Sequence, residues 1–171
     1  MNRHIRKVAV LGSGVMGSRI ACHFANIGCE VLLLDIVPNE LSEIDLKKGL
    51  TTESEGFRNR IVNDALTAST KSNPSPIYRK AFVSRIEIGN FDDDLSKISS
   101  CDWIIEVVIE RLDIKQQVFS NVEKHRKPGT LITSNTSGIP INMMLDGRSD
   151  DFKKHFCGSH FSNPPRYLQL L

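Results

Sequence analysis

Residues 7–35 read KVAVLGSGVMGSRIACHFANIGCEVLLLD, and this stretch decides the fold. Lys7–Leu11 is a short β-branched run that stops at a glycine, as a strand buried on both faces does. From Val15 to Gly28, the residues Met16, Ile20, Ala21, Phe24 and Ile27 recur at helical spacing, and Gly28 is a natural stop. Glu30–Leu34 is a second buried run, closed by Asp35. Strand, helix and strand within about thirty residues make one parallel crossover unit.

The pattern Gly12-x-Gly14-x-x-Gly17 falls between the first strand and the helix, the context in which it carries meaning. Gly12 permits the tight turn, Gly14 lets backbone approach a pyrophosphate, and Gly17 lets the helix pack close to the sheet. Gly12, Ser13, Gly14, Val15, Met16 and Gly17 therefore read as a cofactor-binding turn, with phosphates resting on unpaired N–H groups of the helix start. Asp35, eighteen positions after Gly17, is placed to accept the ribose hydroxyls of an adenosine. Its charge repels the 2′-phosphate of NADP, and Ile36 and Val37 offer no arginine to receive one, so NAD is the expected cofactor. The plainer alternatives are a structural glycine turn and an aspartate that caps a helix before Pro38.

Beyond Val37 the pattern changes. Residues 38–84 form a polar, helical insertion with helices expected over Glu40–Gly49 and Glu53–Ala68 and a loop over Thr67–Pro76. Alternation then resumes: strand Arg85–Ile88, short helix Asp92–Ile98, strand Trp103–Val108, helix Asp113–Lys124 before Pro128-Gly129, strand Leu131–Ser134, helix Pro140–Leu145 and strand His155–Ser159. Alternating strands and helices imply an α/β, Rossmann-type doubly wound domain with a mostly parallel sheet of about six strands.

The totals narrow the function classes. At 171 residues, 40% hydrophobic and 25% charged, the chain has the length and composition of one globular domain. A net charge of +2 with scattered basic residues argues against nucleic acid. Cys22, Cys29, Cys101 and Cys157 have no CxxC or Cys/His metal spacing, so they read as reduced thiols and no metal is expected. The N-terminal apolar run is too short for a signal or a membrane span, which points to a cytoplasmic protein.

In an open parallel sheet, ligands gather beyond the carboxyl ends of the strands. There the chain places the glycine loop, Asp35, Glu110, Asn135-Thr136-Ser137, His160 and Asn163. Taken singly each has a bland reading: Glu110 as a solvated acid, Asn135 and Ser137 as turn or capping residues, His160 as a surface histidine. Together they describe a site.

Four stretches carry a family resemblance: VAVLGSGVMGSRIA (8–21), IIEVVIERLDIKQQVF (104–119), GTLITSNTSGIPI (129–141) and GSHFSNPP (158–165). In that order they resemble the NAD-binding domain of the L-3-hydroxyacyl-CoA dehydrogenases of fatty-acid β-oxidation. The resemblance implies that Asp35 holds the adenosine ribose, that Glu110 and Lys115 lie near the nicotinamide half, and that Lys115 can also meet substrate phosphates. It implies that Ser137 bonds the substrate oxygen, that Asn163 touches the cofactor and that His160 is the general base. It further implies an acyl-CoA thioester substrate and a glutamate that orients His160 from one place past Leu171, with Arg166–Leu171 starting a strand. A helical C-terminal domain that completes the cleft and makes a homo-oligomer contact is expected beyond this chain. The insertion matches the family's substrate-binding helices only at Lys47-Lys48-Gly49, so no CoA contact is assigned there. Two alternatives stay open: another β-hydroxyacid dehydrogenase, against which GSHFSNPP speaks, and a non-catalytic NAD-sensing module.

Overall fold

The computed structural model describes residues 3–168. Its centre is a sheet of six parallel strands in the order β3-β2-β1-β4-β5-β6. The strands are β1 (Lys7–Leu11), β2 (Glu30–Asp35), β3 (Ile86–Asn90), β4 (Trp103–Glu106), β5 (Leu131–Ser134) and β6 (Phe156–Gly158). The chain runs outward from β1 to β3, then returns to β4 and runs the other way. This reversal between β1 and β4 opens the crevice in which doubly wound sheets hold ligands.

Strand alternation explains the two layers. Val8, Val10, Val31 and Leu33 face one side, where they meet Ile20, Ala21 and Phe24 of α1 (Val15–Asn26). Ala9, Leu11, Leu32 and Leu34 face the other side. There they meet Phe119 and Val122 of α5 (Leu112–His125), Met144 of α6 (Ile141–Met144) and Phe152 of α7 (Asp150–Lys154). With both faces covered, Val8–Leu11 and Val31–Leu34 are apolar without a break, which is why KVAVL and EVLLL lack the polar alternation of a half-exposed strand.

The insertion folds as α2 (Glu43–Lys47), α3 (Glu55–Arg58) and α4 (Arg60–Lys71). The first of these has a Ser42/Asp45 capping box, and α4 lays Val62 and Leu66 on the α1 face. The insertion is shorter in helix at its start than expected and longer at its end. The expected loop from Thr67 is helical to Lys71, and the Thr70 hydroxyl caps back onto the Leu66 and Thr67 carbonyls.

Three further expectations are corrected. The β4 strand stops at Glu106 instead of Val108, because the Val108 N–H turns to the Glu106 side chain at 2.7 Å and leaves the ladder. The segment expected as a helix over Asp92–Ile98 is a 3-10 turn over Leu95–Ser100, preceded by Asn90 accepting the Asp92 and Asp93 N–H groups. Arg166–Leu168 is a turn and not the start of a strand, since Tyr167 and Leu168 donate their N–H groups back to the Pro164 carbonyl at 3.1 and 3.3 Å. The rest of that expected strand, 169–171, lies outside the described residues.

The glycine loop is built by close approach. Gly12 takes φ +106°, and a Cβ there would sit 2.6 Å from the Val107 carbonyl oxygen. A Cβ on Gly17 would overlap the carbonyl of Gly12, so the helix and the first turn touch backbone to backbone. Replacing Gly17 with alanine is expected to cost about 1–3 kcal/mol through forced separation of α1 from β1. Thermal melting and NAD titration check this; an unchanged melting temperature and Kd would show that the contact is slack.

Candidate active site

Because every strand is parallel, the segments that follow them all emerge at one rim. The first group is the glycine loop and Asp35. Asp35 Oδ2 accepts both the N–H and the hydroxyl of Ser13, at 2.6 and 2.5 Å, and Oδ1 accepts the Ile36 N–H at 2.7 Å. Gly12 N–H donates to the Leu34 carbonyl at 2.8 Å, so loop and β2 are pinned together. The start of α1 has Gly14 as N-cap with no side chain bonded to it, and a Cβ on Gly14 would meet nothing within 4 Å. First-turn N–H groups with no earlier carbonyl, opening onto free space, are a cradle for an anion.

Between the loop and β4 lies a cleft of about 530 Å³, whose walls include Ile36, Phe91, Val107 and Val108 beside Asp35 and Asp92. Apolar walls suit a flat heterocycle. Two carboxylates with no lysine or arginine along the lining make the cleft hostile to an extra phosphate. These residues therefore fit a dinucleotide with an unphosphorylated ribose. A carboxylate offers about four acceptor sites, and three donors already use Asp35. Holding both ribose hydroxyls there requires the Ser13 hydroxyl to turn away.

The second group was only partly foreseen. Glu106, at the end of β4, is fully buried. Its Oε1 accepts from Val108 N–H and from Lys115 Nζ, each at 2.7 Å, and its Oε2 accepts from the Ser134 hydroxyl. Lys115, on α5, is 1% exposed and also reaches Glu110 at 3.3 Å. The expectation that Lys115 meets substrate phosphates is corrected here, because an ammonium enclosed by Glu106 and Glu110 has no open side to offer one. Its place is beneath the loop, as a brace. Glu106 and Ser134 went unnoticed in the sequence. The available signal was a carboxylate inside the apolar run WIIEVV, which demands a buried partner.

Glu110 is exposed and organises the next loop. Its Oε1 accepts the Thr136 hydroxyl, the Ser137 N–H at 3.0 Å and the Gly138 N–H at 2.9 Å. The Ser137 side chain lies exposed on that loop. His160 follows β6 beside it, with Nδ1 3.4 Å from the Thr136 carbonyl oxygen. If that contact assigns the Nδ1 proton, Nε2 carries the free lone pair. Asn135 Oδ1 accepts the Phe161 N–H at 2.7 Å, tying the histidine loop to β5. Asn163, two residues on, accepts from Arg19 of α1 at 2.7 Å. Glu110, Ser137 and His160 thus come together, and Asn163 stands nearer the glycine-loop helix.

Partial burial pushes the Glu110 carboxyl up, but the Thr136 hydroxyl, the Gly138 and Ser137 N–H groups and then Lys115 outweigh it and hold the group at about 2, below its usual 4.5. A depressed acid stabilises the fold above its unfolded value and loses that contribution as pH falls toward 2. The stability gap between the native protein and Glu110→Gln should therefore shrink as pH drops from about 4.5 to about 2. Denaturant melts across that window check it, and a gap independent of pH would contradict the network.

Comparison with known proteins identifies the family. Residues 7–171 match the family model described as the 3-hydroxyacyl-CoA dehydrogenase NAD binding domain. A probable 3-hydroxyacyl-CoA dehydrogenase of Bacillus subtilis is 54% identical over 171 residues, which is all of this chain and 22% of that protein. A putative fatty acid oxidation complex trifunctional enzyme of Rickettsia felis is 38% identical, again over all of this chain and 22% of that protein. The crystal structure of 3-hydroxybutyryl-CoA dehydrogenase from Escherichia coli superposes with a TM-score of 0.65 at 27% identity, over 96% of this chain and 31% of that one. This chain therefore spans less than a third of the length of each of these proteins. A glycine-loop cleft that fits a dinucleotide without a 2′-phosphate and a family match over nearly the whole chain lead to one assignment: the chain belongs to the NAD-binding domains of the 3-hydroxyacyl-CoA dehydrogenases.

Proposed function

We propose that the chain is the cofactor half of an enzyme that oxidises an L-3-hydroxyacyl-CoA to the 3-oxoacyl-CoA, in fatty-acid oxidation. The observation that carries the reading is His160, held beside the Ser137 loop on the same rim as the glycine loop, with one ring nitrogen against a carbonyl. In this reading Nε2 of His160 takes the proton of the substrate hydroxyl while the C3–H electron pair leaves as hydride and C3–O becomes a carbonyl. Bound NAD supplies the hydride acceptor. The Ser137 hydroxyl donates to the reacting oxygen, Glu110 keeps that loop in place, and Asp35 and the α1 N–H groups hold the dinucleotide. A positioned base of this kind contributes typically ~100- to 10,000-fold.

The remaining assignments are those that the family resemblance implies. A glutamate one place past Leu171 orients His160, and a helical C-terminal domain completes the acyl-pantetheine cleft and pairs protomers. A cytoplasmic location is proposed with them; separately, among the described residues no helix is long and apolar enough to cross a membrane.

His160→Gln in the full-length protein should lower kcat by about 100-fold or more with NAD affinity unchanged. NADH formation from 3-hydroxyacyl-CoA, measured beside the Kd for NAD, reads both. Equal losses in the two would assign His160 to folding. The Kd for NADP should exceed that for NAD by at least about tenfold, the cost of setting a phosphate beside Asp35 and Asp92; the reverse preference would overturn the cofactor reading.

A further inference from the structure

Arg19 lies one turn into α1, and its Nη1 donates to Asn163 Oδ1 at 2.7 Å. Among the described residues no carboxylate lies within ion-pair distance of it. Its side chain borders two cavities, one of about 290 Å³ beside Ser13 and Gly14, the other of about 100 Å³ beside Pro164 and Arg166. The guanidinium thus stands between the glycine loop and the loop that follows His160.

That second loop is tied down along its length. Phe161 packs edge-on against Phe24 of α1, with ring centroids 5.9 Å apart. Arg166 stacks on Tyr78 at 4.5 Å and donates to the Ser75 carbonyl at 2.5 Å. The Arg19 bond is the tie between these two, and it is the one that reaches a side chain capable of touching a ligand. An amide has one acceptor oxygen and an NH2. With Oδ1 engaged by a guanidinium, the amide is oriented and the Nδ2 hydrogens are what it presents.

We infer that Arg19 is a positioning residue of this dehydrogenase: by holding Asn163 Oδ1 it turns the Asn163 amide N–H toward an acceptor oxygen of the cofactor or substrate. This rests on the functional reading above. The hydrogen bond is charge-assisted, and losing its orienting effect is expected to read as a roughly tenfold change.

The test is a double-mutant cycle in the full-length protein with Arg19→Ala, Asn163→Ala and both together, reading the Kd for NAD by titration and kcat and KM for 3-hydroxyacyl-CoA by NADH formation. Whichever parameter Asn163→Ala alters, Arg19→Ala should alter the same one, by about tenfold, and the double variant should be no worse than Asn163→Ala. Arg19→Lys, which keeps one donor, should recover part of the loss; if Arg19→Ala does not fold, the cycle is run with Arg19→Gln. Additive losses, or an Asn163→Ala variant with no defect, overturn the proposal. So does a weakening of NAD by Arg19→Ala that persists in the Asn163→Ala background, which would make Arg19 a direct phosphate contact. Failure of the unaltered full-length protein to oxidise 3-hydroxyacyl-CoA would sink the functional reading instead, and the NAD-binding arm of the cycle would still judge Arg19.

Discussion

One carboxylate without access to water shapes the rim of this domain. Burying an ion costs several kcal/mol, recovered only when its lone pairs are used by well-placed donors. Glu106 meets that condition with Lys115, the Val108 N–H and the Ser134 hydroxyl, while its own carbonyl accepts the Asn135 N–H at 2.8 Å. Each partner belongs to a different piece of the rim: the exit of β4, the helix α5 and the end of β5. The demand of a single group therefore ends one strand, aims the next loop and anchors a helix. Lys115 passes the constraint on to Glu110, and Glu110 passes it to the loop that carries Ser137. The rim surface is polar and exposed, but what fixes it lies beneath.

The division of labour across the sheet follows from this. Its interior is made of side chains that need only be apolar and of fitting size, sorted to two faces by strand alternation. Its carboxyl rim is made of groups whose hydrogen bonds are directional and mutually dependent. Aromatic packing among Phe119, Phe152 and Phe156 supports the far face, with Phe119 and Phe156 centroids 5.1 Å apart. Those three rings belong to the apolar layer on that face, so the scaffold and the site answer to different constraints.

That difference decides what could be read from the sequence. KVAVL and LITS are strands over the bounds their composition implies, Lys7–Leu11 and Leu131–Ser134, because apolar periodicity and a following glycine or polar turn are local signals. The run WIIEVV was read two residues too long, since its end is set by a side chain bonding back to its own loop. The short helix Asp150–Lys154 was missed altogether. Its cue was Ser149 ahead of two acids, and the Ser149 hydroxyl accepts the Phe152 N–H. Among site residues, those carried by a motif were legible as candidates. Lys115 was legible as important but not as buried, because enclosure depends on Glu106 and Glu110 arriving from outside its own helix. Arg19 was not singled out, for its partner is 144 positions away.

The bond between Asp35 and Ser13 has a consequence for how this domain captures its ligand. The Ser13 N–H, the Ser13 hydroxyl and the Ile36 N–H take three of the roughly four acceptor positions of the carboxylate, so two sugar hydroxyls would find one open and would displace the Ser13 hydroxyl from another. The gain in hydrogen-bond count is small. The turn, however, is kept folded beforehand by the Ser13 N–H, which need not let go. Little ordering is left to be done at the moment of encounter.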